Sequence, residues 1–208
     1  MPSRTGAGAP TLLLVPTALE LTALGELGDF PAGLALVETC GFGPIAAAAS
    51  TAALLAKLRP ARVVLVGIAG SYDPAVCAVG TASRCSSVAI DGLETAGFEQ
   101  APGIGRTIEL GSGSGAPRTA LLLTVCAPSS TPQEASARRA RFPNALLEDM
   151  EGFGVACACA LAGVPLAIVR GVSNVAGDRQ RDRWRIREAL AAARGEALGI
   201  LDPGGTGR

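Results

Sequence analysis

Five short runs made almost entirely of apolar residues constrain the fold of this chain more than any other feature. They are TLLLV at 11–15, LALVE at 34–38, RVVLVGIA at 62–69, TALLLTV at 119–125 and VPLAIVRGV at 164–172. Continuous apolar runs of this length are typical of strands that are covered on both faces of a sheet. Such strands need helices on either side, so the pattern predicts an α/β domain.

Longer Ala-rich or amphipathic segments lie between these runs and predict helices at 44–58, 133–142, 150–162 and 182–200. Pro44 suits the first position of a helix, and the Arg59-Pro60 step ends that helix. Asp182 is the expected N-cap of the last helix. The alternation of strands and helices predicts a three-layer αβα sandwich around a central mixed, mostly parallel sheet.

The domain boundaries follow from length and local composition. A chain of 208 residues suits one domain, which we assign to residues 11–201. Residues 1–10 and 202–208 are rich in small and turn-forming residues, so flexible termini are expected there. The glycine-rich segment 91–117 predicts a long excursion over the binding face, because long irregular loops in compact domains often serve as lids.

Charge and hydropathy narrow the range of partners to small molecules. The formal net charge is zero and charged residues make up 17% of the chain, so nothing points to nucleic acid or an anionic membrane. Residues 152–169 carry no charge, but Gly163-Val164-Pro165 interrupts the run. We therefore expect a helix, a turn and a buried strand there, and no membrane span.

The chain contains no histidine, which excludes Ser-His-Asp and Cys-His catalysis and most zinc sites. Acid–base work must then come from carboxylates. The six cysteines include no CxxC pair and are expected as free thiols, which favours a cytoplasmic protein. We expect neither a metal nor a cofactor.

A glycine motif, Gly41-Phe42-Gly43-Pro44-Ile45-Ala46, matches the G-x-G-x-x-A pattern of dinucleotide sites. The strand before it is not the first in the chain, and Ala61-Arg62 follows where an NAD site needs an acid. We interpret the motif as a tight strand–helix turn. A dinucleotide-binding oxidoreductase stays open as an alternative, because Arg62 could face an NADP phosphate.

Polar groups follow three of the predicted strands: Glu20 after the first, Met150-Glu151 before an apolar helix, and Arg170, Ser173 and Asn174 at the end of the last. Ligands bind outside the carboxyl ends of strands in α/β sheets, so these groups are site candidates. Each acid alone also suits the positive end of a helix dipole.

In their order along the chain, these elements resemble the nucleoside phosphorylase and nucleosidase superfamily, and most of all its futalosine hydrolases. The resemblance runs from about residue 12 to residue 200. It includes Glu20, the 41–43 turn, the Gly67-Ile68-Ala69-Gly70 strand end, Met150-Glu151 and the segment 170–174. It implies a nucleoside phosphorylase-like fold and a purine nucleoside as substrate.

The resemblance also implies roles for individual residues. As catalytic residues, Glu20 would activate water, Arg170 would lie near that water, and Asn174 would contact the purine at N7 and its six-position. For substrate binding, Glu151 would hold the ribose hydroxyls and Met150 would pack on ribose and base. The remaining expected substrate-binding residues are Gly67, Ile68, Phe153 and Ser173. Ile68 departs from adenosine-type relatives, which have a serine that helps to hold the water.

Asn174 stands where adenine-specific relatives carry Asp. An amide can donate to O6 or N7, whereas a carboxylate would repel the lone pairs of a 6-carbonyl. The expected reaction is therefore the hydrolysis of a 6-oxopurine nucleoside, futalosine, to hypoxanthine and dehypoxanthine futalosine in menaquinone biosynthesis. The carboxyphenyl end of futalosine is expected near Phe98, Arg84 or Arg106.

Other members of the superfamily transfer the ribosyl group to phosphate, which they bind with arginines in the first loop and before the Gly67 position. Residues 16–20 contain no arginine, and none ends the strand before Gly67, so water is the expected acceptor. Three alternatives stay open: a methylthioadenosine/adenosylhomocysteine nucleosidase, a purine nucleoside phosphorylase and a non-catalytic purine-binding module. The family likeness also implies a homo-oligomer.

Overall fold

The computed structural model describes residues 9–31, 33–93, 103–110 and 120–204. Its strands are β1 Thr11–Val15, β2 Leu36–Thr39, β3 Arg62–Ser71, β4 Ala82–Ile90, β5 Thr107–Glu109, β6 Ala120–Thr124, β7 Ala145–Asp149 and β8 Leu166–Val175. Its helices are α1 Ala18–Glu26, α2 Pro44–Leu58, α3 Pro132–Arg141, α4 Gly152–Ala162 and α5 Ile186–Leu201, with a short 3₁₀ helix at Arg181–Arg183.

The strands form one mixed sheet that closes partly on itself. β3 pairs with β8, β8 with β4, β4 with β6 and β6 with β7. The end of β7 then returns to pair antiparallel with the end of β3, at Gly70 and Ser71. β1 and β2 extend the sheet from the first half of β3, and β5 extends it from β4. Five of the eight pairings among the described strands are parallel, as predicted.

Helices cover both faces of this sheet, which confirms the predicted three-layer α/β architecture. One core cluster lies between the sheet and helices α2 and α4, with Leu65, Leu122 and Phe153 among its members. A second lies between the sheet and helices α1 and α5. Glycine permits two close approaches, because a Cβ on Gly154 would collide with the backbone of α2 and one on Gly171 with the backbone of α5.

Most elements lie where the sequence predicts them. The 44–58 helix matches α2 at both ends, and the uncharged stretch 152–169 is helix α4, a turn at Gly163 with φ of 65° and the start of β8. No helix in the described part of the chain is long and apolar enough to cross a membrane. The prediction of Asp182 as the N-cap of the last helix is wrong. Asp182 lies in the 3₁₀ helix, and α5 begins at Ile186.

The glycine-rich segment 91–117 is only partly described. Its described part contains β5, which pairs with the edge of β4. None of the described residues in 91–93 and 103–110 lines the main cavity, so these do not cover the binding face. Residues 94–102 and 111–119 lie outside the described residues, as do 1–8 and 205–208 of the termini predicted to be flexible.

Candidate active site

A cavity of about 400 Å³ opens beyond the carboxyl ends of the central strands, between the sheet, α1 and the start of α5. Most of the predicted site residues lie on its wall, although they come from distant parts of the sequence. The lining includes Glu20, Phe42, Ile68, Gly70, Ser129, Glu148, Asp149, Met150, Glu151, Ser173, Asn174, Arg179, Arg181 and Trp184.

Glu20 lies in the first turn of α1 and is buried on the cavity wall. Thr17 caps this helix, accepting from the Glu20 backbone N–H at 3.2 Å and donating its hydroxyl to Glu20 Oε2 at 2.7 Å. Glu20 Oε1 accepts from the backbone N–H of Ile68 at 3.0 Å. The carboxylate is thus fixed by one donor on its own helix and one on β3, while Ile68 contributes backbone rather than a hydroxyl.

Glu151 precedes α4 but does not cap that helix with its side chain. Its Oε1 accepts instead from the backbone N–H of Gly43, at 3.1 Å, where α2 begins. Unpaired N–H groups make a helix N-terminus attractive to anions. The Gly41–Gly43 turn therefore holds a carboxylate of the protein itself, as a tight strand–helix turn and not as a dinucleotide site.

The charge of Glu151 is poorly compensated. Burial, together with the nearby charges of Asp149 and Glu20, raises its pKa from 4.5 to about 7, although Arg170 and the Gly43 N–H act in the opposite direction. The nearest Arg170 nitrogen is 3.6 Å from Glu151 Oε2. Glu151 consequently has spare hydrogen-bond acceptor capacity beside the cavity.

Asp149 is a site residue that the sequence did not single out. It accepts from Thr124 Oγ1 at 2.6 Å, from the Gly152 N–H at 2.8 Å and from Arg170 Nε at 3.0 Å, and it forms a further ion pair with Arg170 Nη2. Burial lowers the pKa of the Arg170 guanidinium, but Asp149, Glu151 and Glu20 outweigh burial and raise it overall. Arg170 is fully buried and permanently charged behind the cavity wall.

The absence of a side chain at Gly67 lets the Arg170 guanidinium approach Glu20. A Cβ built on Gly67 would overlap the Nη1 atom of Arg170 and come within 2.9 Å of Glu20 Oε1. Arg170 Nη1 has no hydrogen-bond partner among the described residues. A donor without a partner is therefore held against Gly67, on the same side as the Glu20 carboxylate.

Asn174 and Ser173 lie at the end of β8. Asn174 Nδ2 donates to the carbonyl of Val175 at 2.9 Å and is 3.4 Å from that of Asp178, while Oδ1 accepts from the Ser173 hydroxyl at 2.8 Å. Both backbone partners are acceptors only, so they fix which end of the amide carries the nitrogen. The expected donation from Asn174 to the base thus requires Nδ2 to leave one of these carbonyls.

Glu148 is a second lining residue that the sequence left without a role. Its Oε2 accepts from the Tyr72 hydroxyl at 2.6 Å, from Ser129 Oγ and from Arg138 Nη1 at 3.1 Å, and its Oε1 accepts from the Ser129 N–H at 2.7 Å. Burial and the Glu148 charge raise the pKa of Tyr72, so Tyr72 stays a neutral donor. Adjacent acids at a strand end were the available signal, but their partners are remote in sequence.

Several predicted contacts lie elsewhere. Phe153 is in the hydrophobic core and not on the cavity wall, because the first turn of α4 directs it towards the sheet. Arg84 pairs with Glu196 of α5 at 2.9 Å, and the Arg106 guanidinium stacks on the Phe142 ring at 4.3 Å. Phe98 lies outside the described residues. The cationic groups on the cavity wall are instead Arg179 and Arg181, and the aromatic groups are Trp184 and Phe42.

Comparisons with known proteins agree with this geometry. Residues 20–202 match the family model described as the phosphorylase superfamily. The chain is 40% identical over 187 residues to the futalosine hydrolase of Streptomyces coelicolor, covering 78% of this chain and 76% of that protein. It is 36% identical over 226 residues to the futalosine hydrolase of Thermus thermophilus, covering 95% and 98%. The fold matches a Neisseria meningitidis methylthioadenosine/adenosylhomocysteine nucleosidase in complex with methylthio-immucillin-A, with a TM-score of 0.78, 17% identity and coverage of 94% and 100%.

Proposed function

This chain belongs to the phosphorylase superfamily and, within it, to the futalosine hydrolases, and we propose that it hydrolyses the N-glycosidic bond of futalosine. The products are hypoxanthine and dehypoxanthine futalosine, as in menaquinone biosynthesis. The observation that carries the proposal is that Glu20, Glu151 and Asn174, from three distant segments, line one cavity beside Met150.

Cleavage of a purine N-glycoside passes through a transition state with positive charge on the ribosyl group and negative charge on the departing base. An enzyme accelerates it by stabilising both charges more strongly than in the bound substrate. Two carboxylates near the sugar and an amide near the base supply groups of the required kind. The cavity supports this division, because the acids and Asn174 come from different strand ends around it.

Glu20 is the proposed general base. Its two hydrogen bonds, from Thr17 and Ile68, fix the carboxylate and leave it able to accept a proton from water. Arg170, which the missing side chain of Gly67 admits behind Glu20, places a fixed positive charge there and supplies a donor without a partner among the described residues at Nη1. General-base catalysis of this kind contributes about 10²–10⁴-fold to the rate.

Glu151 is the proposed acceptor for the ribose hydroxyls. It is buried, and its protein donors are the Gly43 N–H and a more distant Arg170. Hydroxyls of a bound sugar would fill the remaining acceptor positions of the carboxylate. Met150, half-buried on the cavity wall next to Glu151, would pack against ribose and base.

The acceptor of the ribosyl group is proposed to be water and not phosphate. Phosphate would need accessible cations at the sugar, whereas Arg170 is fully buried and its Nη2 pairs with Asp149 and Glu151. The lining arginines Arg179 and Arg181 are exposed, and they follow β8 in the segment before α5. Glu20 lies instead in the first turn of α1.

Arg179, Arg181 and Trp184 favour futalosine over smaller nucleosides. Neither arginine has an ion pair with a carboxylate among the described residues, and Arg179 stacks on the Trp184 ring at 5.1 Å. A carboxyphenyl group offers both the anion and the aromatic face that these side chains bind well. We expect Arg179→Ala with Arg181→Ala to lower kcat/KM for futalosine about tenfold or more, from lost charge-assisted hydrogen bonds. Inosine hydrolysis and an Arg183→Ala control, whose arginine lies near Asp178, should change little.

The test of the function is incubation with futalosine, inosine, adenosine and methylthioadenosine, followed by chromatography of the released base. Hypoxanthine from futalosine, with free sugar in phosphate buffer, is the expected result. Release of adenine from methylthioadenosine as the best substrate would identify a methylthioadenosine/adenosylhomocysteine nucleosidase instead. A ribosyl phosphate product would identify a phosphorylase, and binding without release would identify a purine-binding module.

We further propose that the protein is a cytoplasmic homo-oligomer. Leu19, Phe42 and Ile45 are more than half exposed, and Leu19 and Phe42 also line the cavity. Large exposed apolar side chains at a binding site indicate a contact surface. Light scattering should give a mass above the 20.8 kDa of one chain, and a monomer would contradict the proposal.

A further inference from the structure

We propose that Glu148 accepts a hydrogen bond from N1 of the purine, and that this hydrogen bond makes the site select 6-oxopurines over adenine. This inference rests on the proposed function, since it assigns the base edge of the same cavity. Glu148 and Asn174 would contact the base from opposite sides of a slot in the sheet, which is formed by Glu148, Gly70 and Asn174.

The slot is a consequence of strand register. Gly70, on β3, pairs with Glu148 on β7 and with Asn174 on β8, so the three residues form one row across the sheet. Neighbouring strands lie about 4.8 Å apart, which separates the Cα atoms of Glu148 and Asn174 by about 10 Å. Cross-strand partners project to the same face of a sheet.

The middle of the row carries no side chain, because it is glycine. All three residues line the cavity. The slot therefore has a flat floor at Gly70, a carboxylate along one edge and an amide along the other. A planar purine with a hydrogen bond at each of two edges fits a slot of this kind.

The hydrogen bonds of Glu148 prepare it to accept one more donor. Its Oε2 receives the Tyr72 hydroxyl, Ser129 Oγ and Arg138 Nη1, whereas Oε1 receives only the Ser129 N–H among the described residues. A carboxylate oxygen accepts about two hydrogen bonds. Oε1 thus keeps a free acceptor position, while the Arg138 charge and three neutral donors fix the orientation of the carboxylate.

The chemistry of position N1 then sets the selectivity. In a 6-oxopurine, N1 carries a hydrogen and donates; in adenine, N1 carries a lone pair, which a carboxylate repels. A site built to accept a substrate N–H rejects an analogue without it strongly, because its own polar group loses its partner. Asn174 cannot supply this discrimination as it stands, since Nδ2 is occupied by backbone carbonyls.

The test measures binding of free hypoxanthine, adenine and 1-methylhypoxanthine by calorimetry, because free bases bind regardless of which nucleoside is hydrolysed. In the unaltered protein, hypoxanthine should bind at least about tenfold more tightly than either other base. Equal binding of 1-methylhypoxanthine, which lacks the N1 hydrogen, would overturn the proposal without any mutation.

Glu148→Gln gives the second measurement. Three donors on Oε2 outnumber the single Ser129 N–H on Oε1, so they keep the amide oxygen at the Oε2 position. The amide N–H₂ then replaces Oε1, loses the hydrogen bond from the Ser129 N–H and can donate to adenine N1. The ratio of hypoxanthine to adenine affinity should fall at least about tenfold. Glu134→Gln is the matched control, because Glu134 pairs with the same Arg138 at 2.9 Å but does not line the cavity. An equal loss of affinity for both bases in Glu148→Gln would give Glu148 a purely structural role.

These outcomes separate the inference from the function. If the unaltered protein releases hypoxanthine from futalosine while Glu148→Gln keeps its preference between bases, only the role of Glu148 fails. If the unaltered protein releases adenine from its best substrate, the proposed function fails, and the calorimetric preference for hypoxanthine should be absent as well.

Discussion

Four buried acids surround one cavity, and they divide into two pairs by the number of donors that each contacts. Glu148 and Asp149, the four-donor acids, each accept four hydrogen bonds from side chains and backbone. Glu20 and Glu151, the two-donor acids, each contact two donors. All four are at most 8% exposed, so burial alone does not distinguish them.

The difference separates acids whose orientation the protein fixes from acids that are left ready for proton transfer and sugar binding. A buried carboxylate with four donors is held in one orientation, and of the two four-donor acids Glu148 keeps an acceptor position at Oε1. A buried carboxylate with positions unfilled is costly to the folded protein, and a substrate hydroxyl or a water can fill them. The two-donor acids are accordingly those to which we assign proton transfer and ribose binding.

The largest effect should come from Glu20→Gln. The isosteric amide can keep contacts with Thr17 and Ile68 but cannot accept a proton, so kcat should fall by about 10²–10⁴-fold. Substrate binding and the free energy of unfolding should change little. Single-turnover kinetics and a binding titration test this, with Glu26→Gln in the last turn of the same helix as control. Activity near that of the control would remove Glu20 from the mechanism.

Asp149→Asn tests whether a four-donor acid stabilises the folded protein. It leaves Arg170 buried beside a neutral amide, and removing one partner of a buried ion pair costs about 3–5 kcal/mol. Urea unfolding measures this loss. Asp73→Asn, which affects the partly exposed pair with Arg139, should cost much less, because solvent screens that pair. If both variants lose the same small amount, Asp149 does not have the structural role that its four donors indicate.

At Glu151 we expect a smaller effect on stability, and this effect depends on pH. Its folded-state pKa of about 7 lies above the 4.5 of the free side chain, so the folded protein binds this proton more tightly than the unfolded chain. The contribution of Glu151 to stability is complete below pH 4.5, decreases as pH rises to about 7 and is constant above. At about 1.4 kcal/mol for each pKa unit, the decrease amounts to at most about 3.5 kcal/mol.

The difference in unfolding free energy between the unaltered protein and Glu151→Gln isolates this contribution. It should fall between pH 4.5 and 8, whereas Glu188→Gln should show no such fall, because the pKa of Glu188 is lowered. kcat/KM should rise through about pH 7 as Glu151 ionises to accept the ribose hydroxyls. A flat difference over this range would mean that Glu151 is as well compensated as the four-donor acids.

Local signals in the sequence account for the elements that were predicted correctly. Pro44 and the Arg59-Pro60 step bound α2, and apolar runs mark β1, β3, β6 and β8. Three strands were missed for reasons of composition and length. β4 mixes polar residues such as Ser83 and Arg84 with apolar ones, β5 has only three residues within the glycine-rich segment, and β7 ends in two acids.

The site was partly predictable for the same reason. Glu20, Glu151 and Asn174 come after strands or before a helix, and their order along the chain was enough to bring them together. Phe153 was misplaced, because the direction of a side chain in the first turn of a helix depends on what the helix packs against. The amide orientation of Asn174 depends on the carbonyls of Val175 and Asp178, which only the folded turn brings near.

By itself, the sequence determined the α/β class, most of the helices and strands, the absence of histidine chemistry and which acids stand near the ends of strands. Only the tertiary structure decided how many hydrogen-bond donors surround each of those acids. Asp149 meets Arg170 and Glu148 meets Tyr72 because β7 returns to pair with β3 and closes the ring of strands. The partners in these two hydrogen bonds are separated by 21 and by 76 positions in the sequence. That closure brings them together, and so they leave no local pattern in the chain.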